Sequence, residues 1–418
     1  MELKKGYKQT VVGIIPDDWK LTNIDNITSQ VGDGIHSTPA YSDSGEYFFV
    51  NGNNLINNRV TITEGTKHVD RNEFQKHRKD LSDRTILMSI NGTIGNLAYY
   101  AKEPVILGKS AAYLNISKGV SKHFIYYLFQ TSFVKEYFEN ELTGSTIKNL
   151  GLGSIRRTPI PLPPTIEEQR TIATTLSDAD ALISRLEELI AKKRNIKQGA
   201  MQELLTGKKR LLGFSGEWET KKLGEIGEIT GAGVDKKSKP EEVPVRLVNY
   251  LDVFHRDFIY SNELNHWVTA PPAKAQRCAV KQGDIFFTPS SETREDIGIS
   301  AVAMQDILDA AYSYHVVRLR LFEDWDLAFR TYIFKKRLFL DQAETVCEGS
   351  GKRYVISLKR FREMDISYPS SIVEQTAIAQ ILSDMDAEIE ALEKKLDKCK
   401  AVKQGMMQEL LTGKTRLI

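Results

Sequence analysis

The amino-acid sequence predicts a mixed α+β protein, with two globular domains joined by two long helices that form an antiparallel coiled coil in a pseudo-two-fold internal repeat. The first observation is a duplication, because the segment Thr165–Leu212 aligns without a gap on Ser371–Ile418. The copies are offset by 206 residues, the difference between positions 371 and 165, and they share 27 of 48 aligned residues. A long-period repeat of this kind determines how the chain is divided.

The second observation is that the segments before the two copies differ. They are similar in length, with 164 and 158 residues, but their sequences resemble each other only faintly. With 41% apolar and 27% charged residues among 418, each segment can bury a core. The predicted division is a first domain (1–164), a first long spacer helix (165–212), a second domain (213–370) and a second long spacer helix (371–418).

The third observation is a heptad pattern in both duplicated segments. Apolar residues recur at alternating steps of four and three, which is typical of coiled coils. Pro161–Pro164 precedes the first copy and Thr206-Gly207 ends it, as expected at the two ends of a helix. The coiled-coil positions predicted to be buried are Ile172, Leu176, Ile183, Leu186 and Ile190 in the first copy and Ile378, Leu382, Ile389, Leu392 and Leu396 in the second.

Geometry favours an antiparallel pair. A helix of about 40 residues is ~60 Å long, whereas a domain of this size has a radius of gyration of roughly 15 Å. A parallel pair would need the second domain to carry the chain back along the whole helix, so we expect the domains at opposite ends of an antiparallel pair. The alternative is that each helix packs against its own domain. Lys193, Lys197 and Lys403 lie within the pattern, and their matched placement suggests a surface that faces a partner or DNA.

Both domains are predicted to contain many short strands separated by polar loops. The two segments 121–138 and 327–342 have the amphipathic pattern of helices. The domains also open alike, with Trp19 corresponding to Trp218, and close alike, with a Gly-Ser pair before the final strand. The predicted strands include 47–50, 85–90, 98–100, 245–248, 284–288 and 316–321.

Catalytic signatures are missing from the chain. The seven histidines have no metal-ligand spacing, and Gly349–Lys352 lacks the leading glycine of a phosphate loop. Cys278, Cys347 and Cys399 are far apart, which argues against disulfides or a zinc site and fits a reducing cytoplasm. No apolar run is long enough for a membrane span or a secretory signal. A net charge of +2 is modest for a protein that binds DNA alone, so partners are expected to share that work.

Polar loops supply the candidate contacts to nucleic acid. Asn and Arg can pair with base edges, while Ser, Thr and Lys reach phosphates. Loops of this composition are also ordinary turns, and that alternative stays open for each residue. The candidate DNA-binding residues are His36, Ser37, Thr38, Asn53, Asn91, Thr93, Lys109, Thr146 and Lys148 in the first domain and Thr288, Ser290, Ser291, Arg294, Lys352, Arg353 and Tyr354 in the second.

Three groups of motifs together resemble the DNA-specificity (S) subunit of type I restriction–modification systems. The first is the opening, YKQTVVGIIPDDW at 7–19. The second is the proline–Glu-Gln–Ile-Ala junction, which occurs as PLPPTIEEQRTIA at 161–173 and as VEQTAIA at 373–379. The third is the helix ending MQELLTGK, at 201–208 and 407–414. The resemblance covers the whole chain and departs at Tyr368-Pro-Ser-Ser371, where the second junction has a single proline.

The resemblance implies that each domain is a target recognition domain for one half of a bipartite, asymmetric DNA target, with the coiled coil setting the spacer. It implies double-stranded DNA, two methyltransferase subunits and restriction (motor-nuclease) subunits as partners, no membrane, and a bacterial or archaeal cytoplasm. The chain would be a non-catalytic subunit of an adenine-methylating and ATP-dependent restriction complex. No cofactor is expected on it, because S-adenosylmethionine would bind the methylating subunits, and ATP and Mg the restriction subunit. The alternatives are the specificity subunit of a related type II system and a coiled-coil adaptor that binds proteins.

Overall fold

A computed structural model describes residues 5–351 and 353–417 of the chain. It contains two compact units, of which unit one spans 1–187 and 395–418 and unit two spans 188–394. Each unit therefore holds one globular domain together with part of both long helices. Lys352, one of the predicted DNA contacts, lies outside the described residues.

The first domain begins with a short hairpin, and its strands then alternate with short helices. The long helix α6 follows it. The strands are β1 (Tyr7–Thr10), β2 (Gly13–Pro16), β3 (Lys20–Asn23), β4 (Thr28–Asp33), β5 (Tyr47–Val50), β6 (Leu55–Ile56), β7 (Arg59–Val60), β8 (His68–Val69), β9 (Thr85–Asn91), β10 (Thr93–Tyr99), β11 (Val105–Leu107), β12 (Ala111–Ile116), β13 (Leu142–Thr143), β14 (Asn149–Leu150) and β15 (Pro159–Leu162). The helices are α1 (Ile24–Ile27), α2 (Arg71–His77), α3 (Lys122–Leu128), α4 (Ser132–Asn140), α5 (Leu152–Arg157) and the long α6 (Ile166–Leu204).

The second domain follows the same plan. Its strands are β16 (Glu219–Lys222), β17 (Gly227–Thr230), β18 (Val243–Val248), β19 (Phe258–Ile259), β20 (Trp267–Ala270), β21 (Ala279–Val280), β22 (Ile285–Phe287), β23 (Ser290–Ser291), β24 (Ser300–Ala303), β25 (Ile307–Tyr312), β26 (Val317–Leu321), β27 (Glu348–Ser350), β28 (Arg353–Val355) and β29 (Asp365–Tyr368). Its helices are α7 (Leu223–Ile226), α8 (Tyr250–Phe254), α9 (Pro272–Arg277), α10 (Leu327–Ile333), α11 (Arg337–Val346) and α12 (Leu358–Glu363), and the long α13 (Ile372–Leu410) ends the chain.

The sheets of the two domains are comparable. In the first, an antiparallel sheet has the order β13-β14-β9-β12-β4 with β10 added to β9, beside a three-stranded sheet β11-β5-β8. In the second, the sheets are β17-β26-β22-β24-β19, β20-β18-β25-β21 and β23-β28-β27. The last strand of each domain also pairs with a strand near its start, β15 with β3 and β29 with β16. The mixed α+β class predicted from the sequence is confirmed.

The central strands are apolar at almost every position because each lies between two cores. Side chains alternate across a strand, so Ile86 and Met88 of β9 enter one core while Leu87 enters the other. In β22, Ile285 and Phe287 face one core and Phe286 faces the other. A strand that is buried on both faces reads as a continuous apolar run, and this is why these strands could be recognised in the sequence.

The segments predicted as single helices over 121–138 and 327–342 are each two helices. In the first domain α3 closes with bonds of the i→i+3 type, from Gln130 N to the Tyr127 carbonyl and from Thr131 N to the Leu128 carbonyl. Thr131 and its counterpart Lys336 then adopt extended backbone before α4 and α11 begin. The apolar period continues across each break, so periodicity alone predicted one helix.

The long helices begin one residue after the predicted starts at 165 and 371 and end eight residues before the predicted bounds at 212 and 418. Each has 39 residues, and each ends just before a glycine with positive φ, Gly207 at 69° and Gly413 at 70°. Among the predicted coiled-coil positions seven are buried and three are half-buried, which confirms the heptad assignment. The buried ones are Ile172, Leu176, Leu186, Ile190, Ile378, Leu382 and Ile389, and the half-buried ones are Ile183, Leu392 and Leu396.

Ion pairs show that the helices run antiparallel within each unit. In unit two, Lys193 pairs with Glu388 at 2.6 Å and Lys197 pairs with Asp386. In unit one, Asp180 pairs with Lys403 at 2.5 Å and Glu187 with Lys400 at 2.7 Å. As the residue number rises along α6, that of its partner on α13 falls. The predicted antiparallel coiled coil is therefore confirmed.

The lysines within the heptad pattern form ion pairs inside each unit. Besides pairing with Asp180, Lys403 lies 5.6 Å from the ring centre of Tyr127, whose hydroxyl donates to the same aspartate at 2.8 Å. Lys197, Asp386 and Tyr332 repeat this arrangement in unit two. Lys403 and Lys197 therefore each join the opposite helix to a domain, whereas Lys193 pairs with Glu388 of the opposite helix, and the suggestion that these lysines face a partner or DNA stays a prediction.

The alternative, that each helix packs against its own domain, also describes part of the structure. The first turns of α6 enter the core of the first domain through Ile172 and Leu176. That core is completed from the far end of the other helix by Leu410 and Leu411 of the chain terminus. Both arrangements occur along different lengths of the same helices, and the second domain uses α13 and the end of α6 in the same way.

One buried lysine leads to a test of stability. Lys336 is 4% exposed and donates only to the Ser367 carbonyl, at 2.8 Å, and burial lowers its pKa from 10.5 to about 8. The unfolded chain therefore binds more protons between these pH values, and the free energy of unfolding should rise by about 3 kcal/mol from pH 8 to 10.5. We expect Lys336→Met to stabilise unit two by about 1–2 kcal/mol at pH 7 and to remove this rise.

Denaturant unfolding at pH 7 and at pH 10 measures both effects. Lys359→Met is the matched control, because Lys359 is exposed on α12 and its replacement should leave the unfolding midpoint unchanged. A wild-type midpoint that stays constant between the two pH values would contradict this account of Lys336.

Candidate nucleic-acid interface

In the first domain, several predicted residues meet at one end of the central sheet. Strand β14 pairs with the last residue of β9, so that Asn149 lies directly opposite Asn91. The Gly92 amide donates to the Lys148 carbonyl at 3.1 Å, which holds the tight β9–β10 turn against the β13–β14 loop. Gly92 has a φ of 75°, a conformation that glycine adopts without strain.

A cleft of about 240 Å³ opens at this sheet end, and three predicted residues line it. They are His36 from the segment after β4, Asn91 from β9, and Lys109 from the segment after β11. The His36 ring nitrogen lies 2.8 Å from the Asp33 carboxylate while the side chain remains 71% exposed. Residues from three separate segments of the chain therefore lie on one surface, as a nucleic-acid contact requires.

The other candidates of the first domain differ in position. Ser37, Thr38, Thr93, Thr146 and Lys148 are exposed on these same loops. Asn53 is exposed in the 3-10 turn after β5.

The neighbours of Asn53 have structural roles. The Asn51 carboxamide oxygen accepts from the Ser110 hydroxyl at 2.9 Å, and that of Asn54 accepts from the Asn51 amide at 3.0 Å. Of the polar segment 51–54, therefore, only Asn53 is free to face solvent, and the two flanking asparagines hold the turn.

In the second domain the predicted residues meet on the small sheet β23-β28-β27. Ser290 lies opposite Val355, and Ser291 opposite Tyr354. The Arg294 guanidinium lies 4.8 Å from the centre of the Tyr354 ring, a cation–π contact that holds an exposed arginine beside the sheet. Arg353, on the same strand as Tyr354, is exposed.

Thr288 does not belong to this surface. It is fully buried, and its hydroxyl accepts a hydrogen bond from the Ile299 amide at 3.0 Å. This position does not suit a DNA contact, so Thr288 is not part of the candidate interface. The polar run 288–294 begins inside the domain and reaches solvent only further along.

Sequence reasoning missed four candidate residues of the second domain. The isolated bridge between Val234 and Ser313 corresponds to that between Ile35 and Gly108 in the first domain. Asp235 and Lys236 follow Val234, as His36 follows Ile35. Tyr314 and His315 follow Ser313, as Lys109 follows Gly108. The signal that would have found them is the alignment of the two domains, which the sequence shows only faintly.

Two cations, Lys236 and Arg353, lie near His315 together with the carboxylate of Asp235. Burial first, and then the positive charges of Lys236 and Arg353, lower the pKa of His315, so that its imidazole is neutral at pH 7. The Tyr314 ring lies 3.9 Å from the His315 ring, which leaves an aromatic face beside the two cations. Cations next to an aromatic surface suit phosphate and base contacts.

Other kinds of site find no support in the described part of the chain. No group of three or more His, Cys, Asp or Glu side chains there could hold a metal ion. Within the same residues, no helix has the length and apolar character that crossing a membrane requires.

Comparison with known proteins agrees with this arrangement. A family model described as the type I restriction modification DNA specificity domain matches the chain twice, over residues 16–198 and 215–401. The type I restriction enzyme MjaVIII specificity subunit of Methanocaldococcus jannaschii is 29% identical over 313 residues, covering 70% of each chain. The putative type I restriction enzyme MjaX specificity subunit of the same organism is 25% identical over 442 residues, covering 99% of this chain and 97% of that one.

Two solved structures share the fold. The S subunit of a type I restriction–modification system from M. genitalium has a TM-score of 0.54 at 17% identity and covers 98% of both chains. A chain from a structure on complex assembly and conformational transition of the type I R-M system has a TM-score of 0.60 at 14% identity, covering 96% of this chain and 99% of that one.

Proposed function

Because the chain belongs to the type I restriction–modification DNA specificity family, we propose that it is the subunit that gives such a complex its DNA sequence specificity. The observation that carries this proposal is the double match, since each half of the chain matches the specificity-domain model. The same end of the sheet also carries different side chains in the two halves. Two recognition domains that share a fold but carry different side chains suit a DNA target whose two halves differ in sequence.

The first domain reads one half of the target through the loops around Asn91, Lys109 and Lys148. The second reads the other half through Ser291, Arg294, Arg353 and the sheet that carries them. The loops are exposed and the strands behind them are buried, so the contacts stand on rigid supports. A two-stranded β-ribbon of this kind fits the major groove of duplex DNA, where the four base pairs are distinguishable.

The antiparallel helices set the distance between the two half-sites. A coiled coil is stiff along its axis, and its length changes only in steps of whole residues, which makes it suitable as a spacer. The duplicated ion pairs of Asp180 and Asp386 support this role because each of them joins the two helices and a domain.

The chemistry of the complex belongs to its other subunits. Two methyltransferase subunits carrying S-adenosylmethionine and restriction subunits using ATP and Mg assemble with this chain in the cytoplasm, and the chain itself contributes recognition. Its low net charge of +2 supports this division, because a duplex-binding assembly of higher affinity needs phosphate contacts from partners.

Exchange of one domain tests the division of the target. Replacing residues 1–164 by the corresponding segment of another specificity subunit should change one half of the methylated sequence and preserve the other half and the spacer. Methylome sequencing of cells that express the chimaera measures this. A change in both halves, or in neither, would contradict a separate role for each domain.

Shortening of both helices tests the spacer. Because they are antiparallel, matched heptads must be removed together, and Arg185–Ala191 and Ala391–Asp397 are equivalent in the repeat. The loss of about 10 Å of helix should shorten the spacer by roughly three base pairs of ~3.4 Å and leave both half-sites readable. Methylation that retains the original spacer would rule out this role for the helices.

A single arginine tests the electrostatic contribution of the second domain. Arg353→Ala in the assembled methylating complex should weaken duplex binding about five- to tenfold and lower the slope of log affinity against log salt by about 0.9. Lys118→Ala is the control, because Lys118 is exposed beyond Ile116, at the end of β12 away from the cleft. Equal salt slopes for wild type and Arg353→Ala would remove this residue from the interface.

A further inference from the structure

We infer that one pair of facing positions in each domain determines a base of the target, and that Asn91 and Asn149 together read an adenine in the first half-site. The inference rests on the proposed function and adds to it the identity of a reading pair and of its base. It concerns an adenine that remains stacked in the duplex, and not the base that the complex modifies.

The two pairs occupy the same place in the two domains. In the first domain β14 lies beside β9, with Asn149 opposite Asn91. In the second, β28 lies beside β23, with Val355 opposite Ser290. Each of the facing residues Asn149 and Val355 is followed by a buried residue, Leu150 or Ile356, and then by a short helix, α5 or α12. The backbone framework is therefore shared, and the residues at the facing positions are what differ.

The differing side chains are accessible. Asn91, Asn149 and Ser290 are half-buried and Val355 is 40% exposed, so each can touch a ligand while its backbone stays in a sheet. The buried residues just behind them are apolar in both domains and serve the core. Positions that keep their backbone and change only accessible chemistry are where two domains of one fold can read different bases.

The amide geometry of the first pair selects a base. Asn91 Nδ2 donates to Asn149 Oδ1 at 3.3 Å, which leaves the Asn91 oxygen as an acceptor and the Asn149 Nδ2 group as a donor. In the major groove adenine presents a donor, N6, next to an acceptor, N7. Guanine presents two acceptors, cytosine a donor and thymine an acceptor with a methyl group, so adenine is the match.

The surroundings support a base edge at this place. The two asparagines line the cleft of about 240 Å³ together with His36 and Lys109. Lys109 is exposed and can reach a phosphate next to the base, while the cleft gives the base edge space to approach the amides.

The pair in the second domain has a different preference. A valine side chain offers an apolar contact to a thymine methyl group, and a serine hydroxyl can donate to O4 of the same base. Val355 and Ser290 therefore favour thymine at the equivalent place of the second half-site.

Exchange of the pairs tests the inference. The variant Asn91→Ser/Asn149→Val and its reciprocal, Ser290→Asn/Val355→Asn, are each assembled with the methylating subunits, and their targets are mapped by methylation of a random duplex library. We expect the first variant to change preference from adenine to thymine at one position of the first half-site, by about 5- to 150-fold. The reciprocal variant should change thymine to adenine in the second half-site, and the untouched half should stay constant in both.

Asn72→Ser is the matched control, because Asn72 is exposed on α2 of the same domain and is not a candidate DNA contact, and its target should equal that of the wild type. Unaltered targets in both exchanged variants, or a change at a position without an A·T pair, would overturn the inference. The wild-type library is mapped first, and the absence of a bipartite target there would count against the proposed function itself.

A measurement on the wild-type complex keeps the inference testable if an exchanged variant does not fold. Replacing the adenine by 7-deazaadenine removes the N7 acceptor that the Asn149 amide would contact. Binding of that duplex should fall about 5- to 20-fold, as expected for one lost hydrogen bond with an unpaired donor. No loss with this duplex at any adenine of the first half-site would overturn the adenine assignment.

Discussion

Each unit is closed by a buried ion pair between the start of one long helix and the segment that follows the end of the other. Arg210 reaches Glu374 through two hydrogen bonds of 2.6 and 2.7 Å, and Glu374 is only 1% exposed. Arg416 makes the equivalent bidentate contact with Glu168 and adds one with Asp18. A buried carboxylate without its partner costs about 3–5 kcal/mol. Loss of the segment that carries the arginine would therefore destabilise each domain by about this amount, which makes the antiparallel pair part of each core.

The junction motifs acquire a physical meaning from this closure. Gln169, next to Glu168, accepts from the Ser121 amide at 2.9 Å and donates to the Pro163 carbonyl at 3.2 Å. Gln375 makes the same two contacts, with Asp326 and Pro369. The Glu-Gln dipeptide thus joins the other helix, the domain and the preceding proline segment at one point. Residues with so many buried partners tolerate little change, which accounts for the 27 identities of the duplicated segments beside domains that resemble each other only faintly.

Local patterns predicted the parts of the fold that local physics determines. The long helices followed from the heptads, and their ends from Gly207 and Gly413, because these signals lie within a few residues. The breaks at Thr131 and Lys336 could not be predicted, since an apolar period continues through them and the interruption depends on tertiary packing. Composition also placed most candidates on exposed or half-buried loops but could not separate the fully buried Thr288 from the half-buried Ser290. The meeting of Asn91 with Asn149, residues 58 positions apart, needed the sheet register.

The placement of the candidate reading residues explains how recognition can change while the fold does not. Asn91 ends β9, and Ser290 comes three residues after β22; because β9 and β22 are each buried between two cores, the backbone is fixed before the reading position is reached. A substitution at such a half-buried tip alters hydrogen-bond chemistry at a cost within about 0.5 kcal/mol of stability. A substitution at Glu168 or Glu374 would instead leave a buried charge unpaired. Different residues thus determine the stability of the fold and the proposed base preference. A chain built in this way can change the sequence it reads by changing few residues, provided that the helices and their ion pairs remain as they are.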